Sequence, residues 1–104
     1  MASTTAATST AYGGLRIGDR TIVGPYAMIH TANHEMAPGR PIVDQGWTKR
    51  PVEIGADCWI GMGVSILRAR LGDGCIVGGG SVVAGELEPN CVAVGNPARA
   101  IKRR

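Results

Sequence analysis

The stretch VEIGADCWIGMGVSIL, residues 52–67, decides the fold. Within it Ile54, Ile60 and Ile66 stand six apart, and the first two are each followed by a glycine, Gly55 and Gly61. The same spacing runs upstream through Ile17, Val23 and Ile29 and downstream through Leu71, Val77 and Val83. An amphipathic helix would repeat its apolar residues near every 3.6 positions and a half-buried strand near every 2. Six fits neither. Six residues hold one short strand and one corner, so three such units close a triangular coil of about eighteen residues. The aliphatic residue points inward and stacks on its counterpart in the next coil, one strand spacing away. The residue after it lies at a tight corner, where glycine is favoured by its missing Cβ. The residue two places before each aliphatic is small, as a crowded corner demands: Thr21, Cys58, Cys75 and Ser81. Cys58 and Cys75 therefore read as structural rather than catalytic. Coils that pair in parallel with their neighbours make a solenoid.

Working outward, residues 1–13 are a Ser/Thr/Ala-rich stretch expected to be a disordered leader, and residues 14–104 form a single domain. Coils are predicted over 15–30, 51–67 and 69–85. Residues 31–50, rich in Pro, Gly and polar groups, leave the solenoid as one excursion loop, and 86–104 close it with a short basic end. One corner breaks the count, because Ile66 and Leu71 are five apart. The reading predicts a tighter turn near Arg68–Arg70, with Leu71 still inside the stack. Three coils bury a small core, and a solenoid this thin is expected to self-associate.

Composition agrees with a thin aliphatic interior. The 104 residues are 44% hydrophobic, with 16 Gly, no Phe and only 4% aromatics, which rules out a core of large rings. The net charge is +3, and Arg99, Lys102, Arg103 and Arg104 crowd one end. No aromatic residues are interleaved with these charges, so nucleic acid is not the expected partner. Neither a secretory signal nor a stretch of membrane-spanning length is present. The three cysteines lack CxxC spacing, so neither a disulfide framework nor a zinc site is expected. They read as reduced thiols of a cytoplasmic protein.

Four stretches go further: IHTANHEM (29–36), KRPVEIGADCWIGMGVSIL (49–67), LGDGCIVGGGSVVAGELEPN (71–90) and AVGNPARAIKR (93–103). In this order and spacing they resemble the maltose/galactoside/exopolysaccharide O-acetyltransferase branch of the hexapeptide-repeat acyltransferases, over roughly residues 15–102. The resemblance implies an all-β fold, a left-handed parallel β-helix, as a homotrimer whose active sites lie between subunits. It also implies acetyl transfer from acetyl-CoA, the acyl donor, to a hydroxyl of a sugar-type acceptor, with no metal. The family's catalytic histidine sits in a Thr-x-x-His setting, which Thr31-Ala32-Asn33-His34 matches, and that role falls on His34. By the same resemblance the acetyl-CoA arm falls on Trp59, Gly61, Met62, Gly79, Ser81 and Ala84, and its phosphates on Arg99 and Lys102. Where the family has Thr-Lys after its GxGSVV stretch, this chain has Ala84-Gly85, so one hydroxyl and one charge are missing there.

The residues themselves fit this chemistry. A base of near-neutral pKa suits an alcohol attacking a thioester, and arginine makes a good fork for phosphate. Trp59 precedes an inward Ile and so points outward, where a large ring needs a cover. Asn33 and Trp47 are weaker candidates for the acceptor, and Trp47 could equally meet a neighbouring subunit. The glycine runs at 61–63 and 78–80 are not a phosphate-binding P-loop, since no GxxxxGK[ST] is present. A γ-class carbonic anhydrase shares the solenoid but needs three zinc-binding histidines, and this chain has two. The competing function is a scaffolding solenoid that keeps the trimer but not turnover.

Overall fold

The computed structural model describes residues 3–4, 8–10 and 14–104. The strands in chain order are β1 (Ser3–Thr4), β2 (Thr8–Thr10), β3 (Leu15–Ile17), β4 (Ile22–Val23) and β5 (Met28–His30). The excursion contributes β6 (Ala32–His34), a short 3-10 turn at Ile42–Asp44, and β7 (Trp47–Lys49). Then come β8 (Val52–Ile54), β9 (Trp59–Ile60), β10 (Ser65–Leu71), β11 (Ile76–Val77), β12 (Val82–Leu87), β13 (Cys91–Gly95) and β14 (Ala98–Arg103). The fold is all-β.

Successive passes of the chain stack in parallel along three faces. On the first, Ile22, Trp59, Ile76 and Val92 lie in register. On the second, Met28, Ser65 and Val82 do. On the third the row is Arg16, Glu53, Arg70 and Glu86. Partners are 17 residues apart at Trp59 and Ile76 (76 − 59) and 16 apart at Ile76 and Val92 (92 − 76). Only the excursion interrupts this count. The expected inward aliphatics Val23, Ile29, Ile54, Ile60, Ile66, Leu71, Val77 and Val83 are all buried, while Ile17 is half-buried. Of the leader, the backbones of Ser3–Thr4 and Thr8–Thr10 are strands, pairing in parallel with β4 and β5. The remainder of that expectation lies outside the described residues.

The corners explain the glycines. A Cβ on Gly61 would lie 2.7 Å from the Gly79 backbone nitrogen, and one on Gly55 the same distance from that of Asp73. Glycine is needed here because the next pass lies directly against it. The left-handed backbone falls elsewhere in the corners, at Asp57 (φ 58°), Gly63 (68°), Gly74 (76°) and Gly80 (75°).

Inside one corner a column of small polar side chains ties the passes together. Thr21 Oγ1 donates to the Gly55 carbonyl at 2.7 Å and accepts the Cys58 N–H at 3.2 Å. The thiols continue the pattern, Cys58 Sγ donating to Gly72 O at 3.3 Å and Cys75 Sγ to Glu88 O at 3.1 Å. The structural reading of these cysteines holds.

At the short corner Leu71 stays inside, 2% exposed, as expected. The turn itself differs from the expectation. β10 runs on as a strand through the corner, with Arg68 (φ 36°) bulged out between Leu67 and Ala69, whose partners Ala84 and Gly85 are adjacent. A bulge accommodates an unequal count while both flanks keep register. The basic end folds back as an antiparallel hairpin, β14 on β13, and covers the edge of the first face. From its end Arg104 reaches Asp57 (Nη1 to Oδ2, 2.8 Å), and the guanidinium holds that carboxyl below its ordinary range.

Candidate functional site: the excursion hairpin and the first-face row

The excursion leaves at the corner between the second and third faces. It is a hairpin rather than an irregular loop: β6 pairs antiparallel with β7, placing His34 opposite Trp47, Asn33 opposite Thr48 and Ala32 opposite Lys49. The ladder is extended by Glu35 N–H donating to Gly46 O at 2.9 Å. The loop between the strands is held by one side chain. Gln45, 8% exposed, accepts the Ala37 N–H through Oε1 at 2.9 Å and donates through Nε2 to the Ala37 and Arg40 carbonyls, both at 3.0 Å.

This frame fixes the histidine. The imidazole of His34 lies on the indole of Trp47, with ring centroids 3.7 Å apart and planes tilted by 31°. Its Nδ1 is buried and makes no hydrogen bond. Trp47 keeps 57% of its surface exposed, and Asn33 is exposed opposite Thr48. His30, on β5, lies in the second-face register with Leu67 and is not part of this group.

The second group of expected residues follows the first face and its corner with the second. Trp59 is 56% exposed in the row between Ile22 and Ile76. Gly61 and Met62 make the corner, Met62 is 61% exposed, and its carbonyl accepts the Gly80 N–H at 2.9 Å, which sets Gly79 beneath it. Lys102 pairs with Val92 and Arg99 with Val94, so these two exposed cations end the row. Ala84 is exposed on the second face, in register with Leu67. Ser81 stands apart from the rest. It is 3% exposed and its hydroxyl accepts the Gly95 N–H at 3.1 Å.

None of the family models matches the chain. Individual relatives do. A Mycobacterium tuberculosis protein named "Probable acetyltransferase" is 41% identical over 95 residues, which is 89% of this chain and 32% of that protein. The structure of a maltose O-acetyltransferase from Clostridium difficile superposes with a TM-score of 0.79 at 40% identity, covering 86% of this chain and 48% of that one. The chain is thus similar to acetyltransferases in both sequence and fold. Another solved structure, galactoside acetyltransferase in complex with coenzyme A, superposes with a TM-score of 0.85 at 28% identity, over 93% of this chain and 48% of that one. The chain thus spans about a third of the length of the mycobacterial relative and about half that of the two solved structures.

The two groups of expected residues stand on different corners. His34, Asn33 and Trp47 belong to the corner between the second and third faces, and Trp59, Met62 and Gly79 to that between the first and second. Below the excursion the sequence reading missed a shallow hollow of about 290 Å³, lined by Pro51, Glu53, Arg68, Arg70 and Glu86 among others. It also missed the Gln45 tie. Burial pushes the Cys58 thiol up and that of Cys75 up to about 12, which lowers their share of thiolate, the form that attacks. Among the described residues no three His, Cys, Asp or Glu side chains gather to hold a metal ion, and no helix is long and apolar enough to cross a membrane.

Proposed function

We propose that this chain transfers an acetyl group from acetyl-CoA to a hydroxyl of a sugar-type acceptor, with His34 as the general base. The observation that carries the reading is the histidine's setting: stacked on Trp47 and braced on a hairpin outside the stack. The acceptor hydroxyl gives its proton to Nε2 as its oxygen bonds to the acyl carbon. The same nitrogen then returns that proton to the departing sulfur, so His34 ends as it began. An alcohol is a poor nucleophile at neutral pH, and a positioned base contributes on the order of 10²–10⁴ in rate.

Acetyl-CoA enters as a substrate that supplies the activated acyl carbon. The residues of the first-face row suit its chemistry. The exposed indole of Trp59 and thioether of Met62 offer apolar cover to a pantetheine arm. Gly80, where a Cβ would meet nothing within 4 Å, leaves open backbone beside them. Arg99 and Lys102 match the phosphates in charge.

The reading includes a left-handed parallel β-helix and a homotrimer. The three-faced stack with its 16- and 17-residue register supports the first, as does the likeness to the two sugar acetyltransferases. The second is supported by the placement of His34 and the Trp59–Met62 row on separate corners, so that a neighbouring copy brings one group to the other. A cytoplasmic location is supported by three free thiols.

The test measures thiol release from acetyl-CoA across a panel of sugar acceptors. His34→Ala is expected to keep CoA binding and lose transfer by about 10²–10⁴, whereas Cys58→Ala retains it. A variant set with Cys58 essential and His34 dispensable overturns direct transfer in favour of an acetyl-enzyme. Full activity in both variants removes His34 from the mechanism, and no turnover with any acceptor favours the scaffolding solenoid.

A further inference from the structure

We infer that Trp47 is a positioning residue for His34, acting by stacking rather than by holding the acceptor. The inference rests on the reading of His34 as the base. Four observations converge on it. The antiparallel register sets the two residues directly opposite one another on β6 and β7. Their rings stand 3.7 Å apart at a 31° tilt, which is close stacking rather than an edge contact. His34 has no hydrogen bond at Nδ1, the atom through which catalytic histidines are ordinarily oriented. Glu35, the neighbouring carboxylate, does not take that role: its Oε1 lies beside Gly46, 2.7 Å from where a Cβ would sit.

The physical consequence follows from rotamers. A histidine on a hairpin strand has two side-chain torsions to fix, and χ2 of an imidazole is broad and soft. A hydrogen bond at Nδ1 would set χ2. Here the flat indole does so, allowing only ring orientations roughly parallel to its own face. The plane of the ring is thereby held while Nδ1 stays buried. The hairpin makes the contact possible because cross-strand partners are the closest side-chain neighbours a strand offers. Gln45 and the Glu35–Gly46 hydrogen bond keep the hairpin in register, and so keep the indole under the ring.

Two measurements test this, one without turnover. In the NMR spectrum of His-labelled protein, the carbon-bound imidazole protons of His34 are expected upfield of those of His30, shifted by the ring current of the indole. Only two histidines are present, and His30→Gln assigns the signals. Trp47→Leu is expected to return the His34 signals to their ordinary position, and Trp47→Phe to keep part of the shift. His34 signals at their ordinary position in the unaltered protein overturn the stacking.

The second measurement is kinetic. Trp47→Leu is expected to lower kcat by about 10- to 100-fold, a part of the range a general base supplies, with KM for the acceptor within about twofold, and Trp47→Phe to recover most of it. In a His34→Ala background the same Trp47→Leu change is expected to lower kcat no further, since an effect that works only through the base vanishes with the base. Additive losses, or a loss borne by KM, assign Trp47 to the acceptor and overturn the inference. If His34→Ala retains full activity while the upfield shift is present, the base assignment fails and the stack stands. The two failures are thereby told apart.

Discussion

Thr21 shows how much a single hydroxyl can hold in this stack. Its Oγ1 both donates to Gly55 O and accepts from Cys58 N–H, and the side chain is fully buried. Thr21→Val keeps the shape and strands both partners inside a corner, so a loss of about 1–3 kcal/mol is expected. It reads out as a lower urea midpoint at unchanged slope; an unchanged midpoint would show that the column contributes nothing. The thiols below it set a response to alkali. Buried Cys75 keeps its proton up to about pH 12, whereas the unfolded thiol ionises near its ordinary value of about 8.5. From about pH 9 upward the unfolded chain sheds a proton that the folded chain retains, so stability is whole below about 8.5 and declines through about 12. Cys58 acts in the same direction. Urea midpoints taken at rising pH should fall, and should fall less in Cys75→Ala; parallel curves would remove Cys75 as the cause.

At the scale of elements, the six-residue spacing made the stack legible because each strand-and-corner unit leaves its own mark on the sequence. The spacing placed Val23, Ile29, Ile60 and Val77 inside before any coordinates, and family motifs singled out His34. The two hairpins were not legible. β6 and β7 pair across a long loop, and neither strand carries an alternating pattern, because no core lies under them. The His34–Trp47 contact depends on that register and was hidden with it. The β13–β14 hairpin was masked by its charge, reading as a basic end. Arg68 illustrates a third kind of miss, since a deviant count announces that a corner differs but not whether it tightens or bulges. The excursion hairpin yields its own prediction. Gln45→Ala removes three hydrogen bonds from the loop and none from the stack. Proteolysis between residues 36 and 45 is expected to quicken while the melting temperature changes little. Unchanged cleavage would mean that the turn at Ile42–Asp44 holds the loop alone.

Over the whole molecule the three faces differ in what they show to solvent. The third alternates in sign, Arg16, Glu53, Arg70, Glu86, with Arg70 Nε 3.7 Å from Glu53 Oε2. Exposed pairs of this kind add little stability, but they keep a face wet. The first face and its corner instead expose Ile22 (49%), Tyr26 (67%), Trp59 and Met62. Assembly is therefore expected through the apolar corner, with the charged face outward. Mass in solution should be about three times the 10.8 kDa of the chain. Met62→Lys should lower that mass, and Glu53→Gln should leave it alone. A monomer at micromolar concentration would sink the assembly, and dissociation by Glu53→Gln would show that the wrong face had been chosen.

The register also limits how such a chain can change length over generations. Removing one full pass, residues 59–75, would bring Ile76 into the place of Trp59 and leave every later residue on its own face. Removing six would rotate everything downstream by one face and set charged Arg70 on the second face, where Met28, Ser65 and Val82 run. Gains and losses along the stack are therefore quantised in whole passes. The corner between the second and third faces, which gives rise to the excursion, holds extra residues without shifting the register on either side.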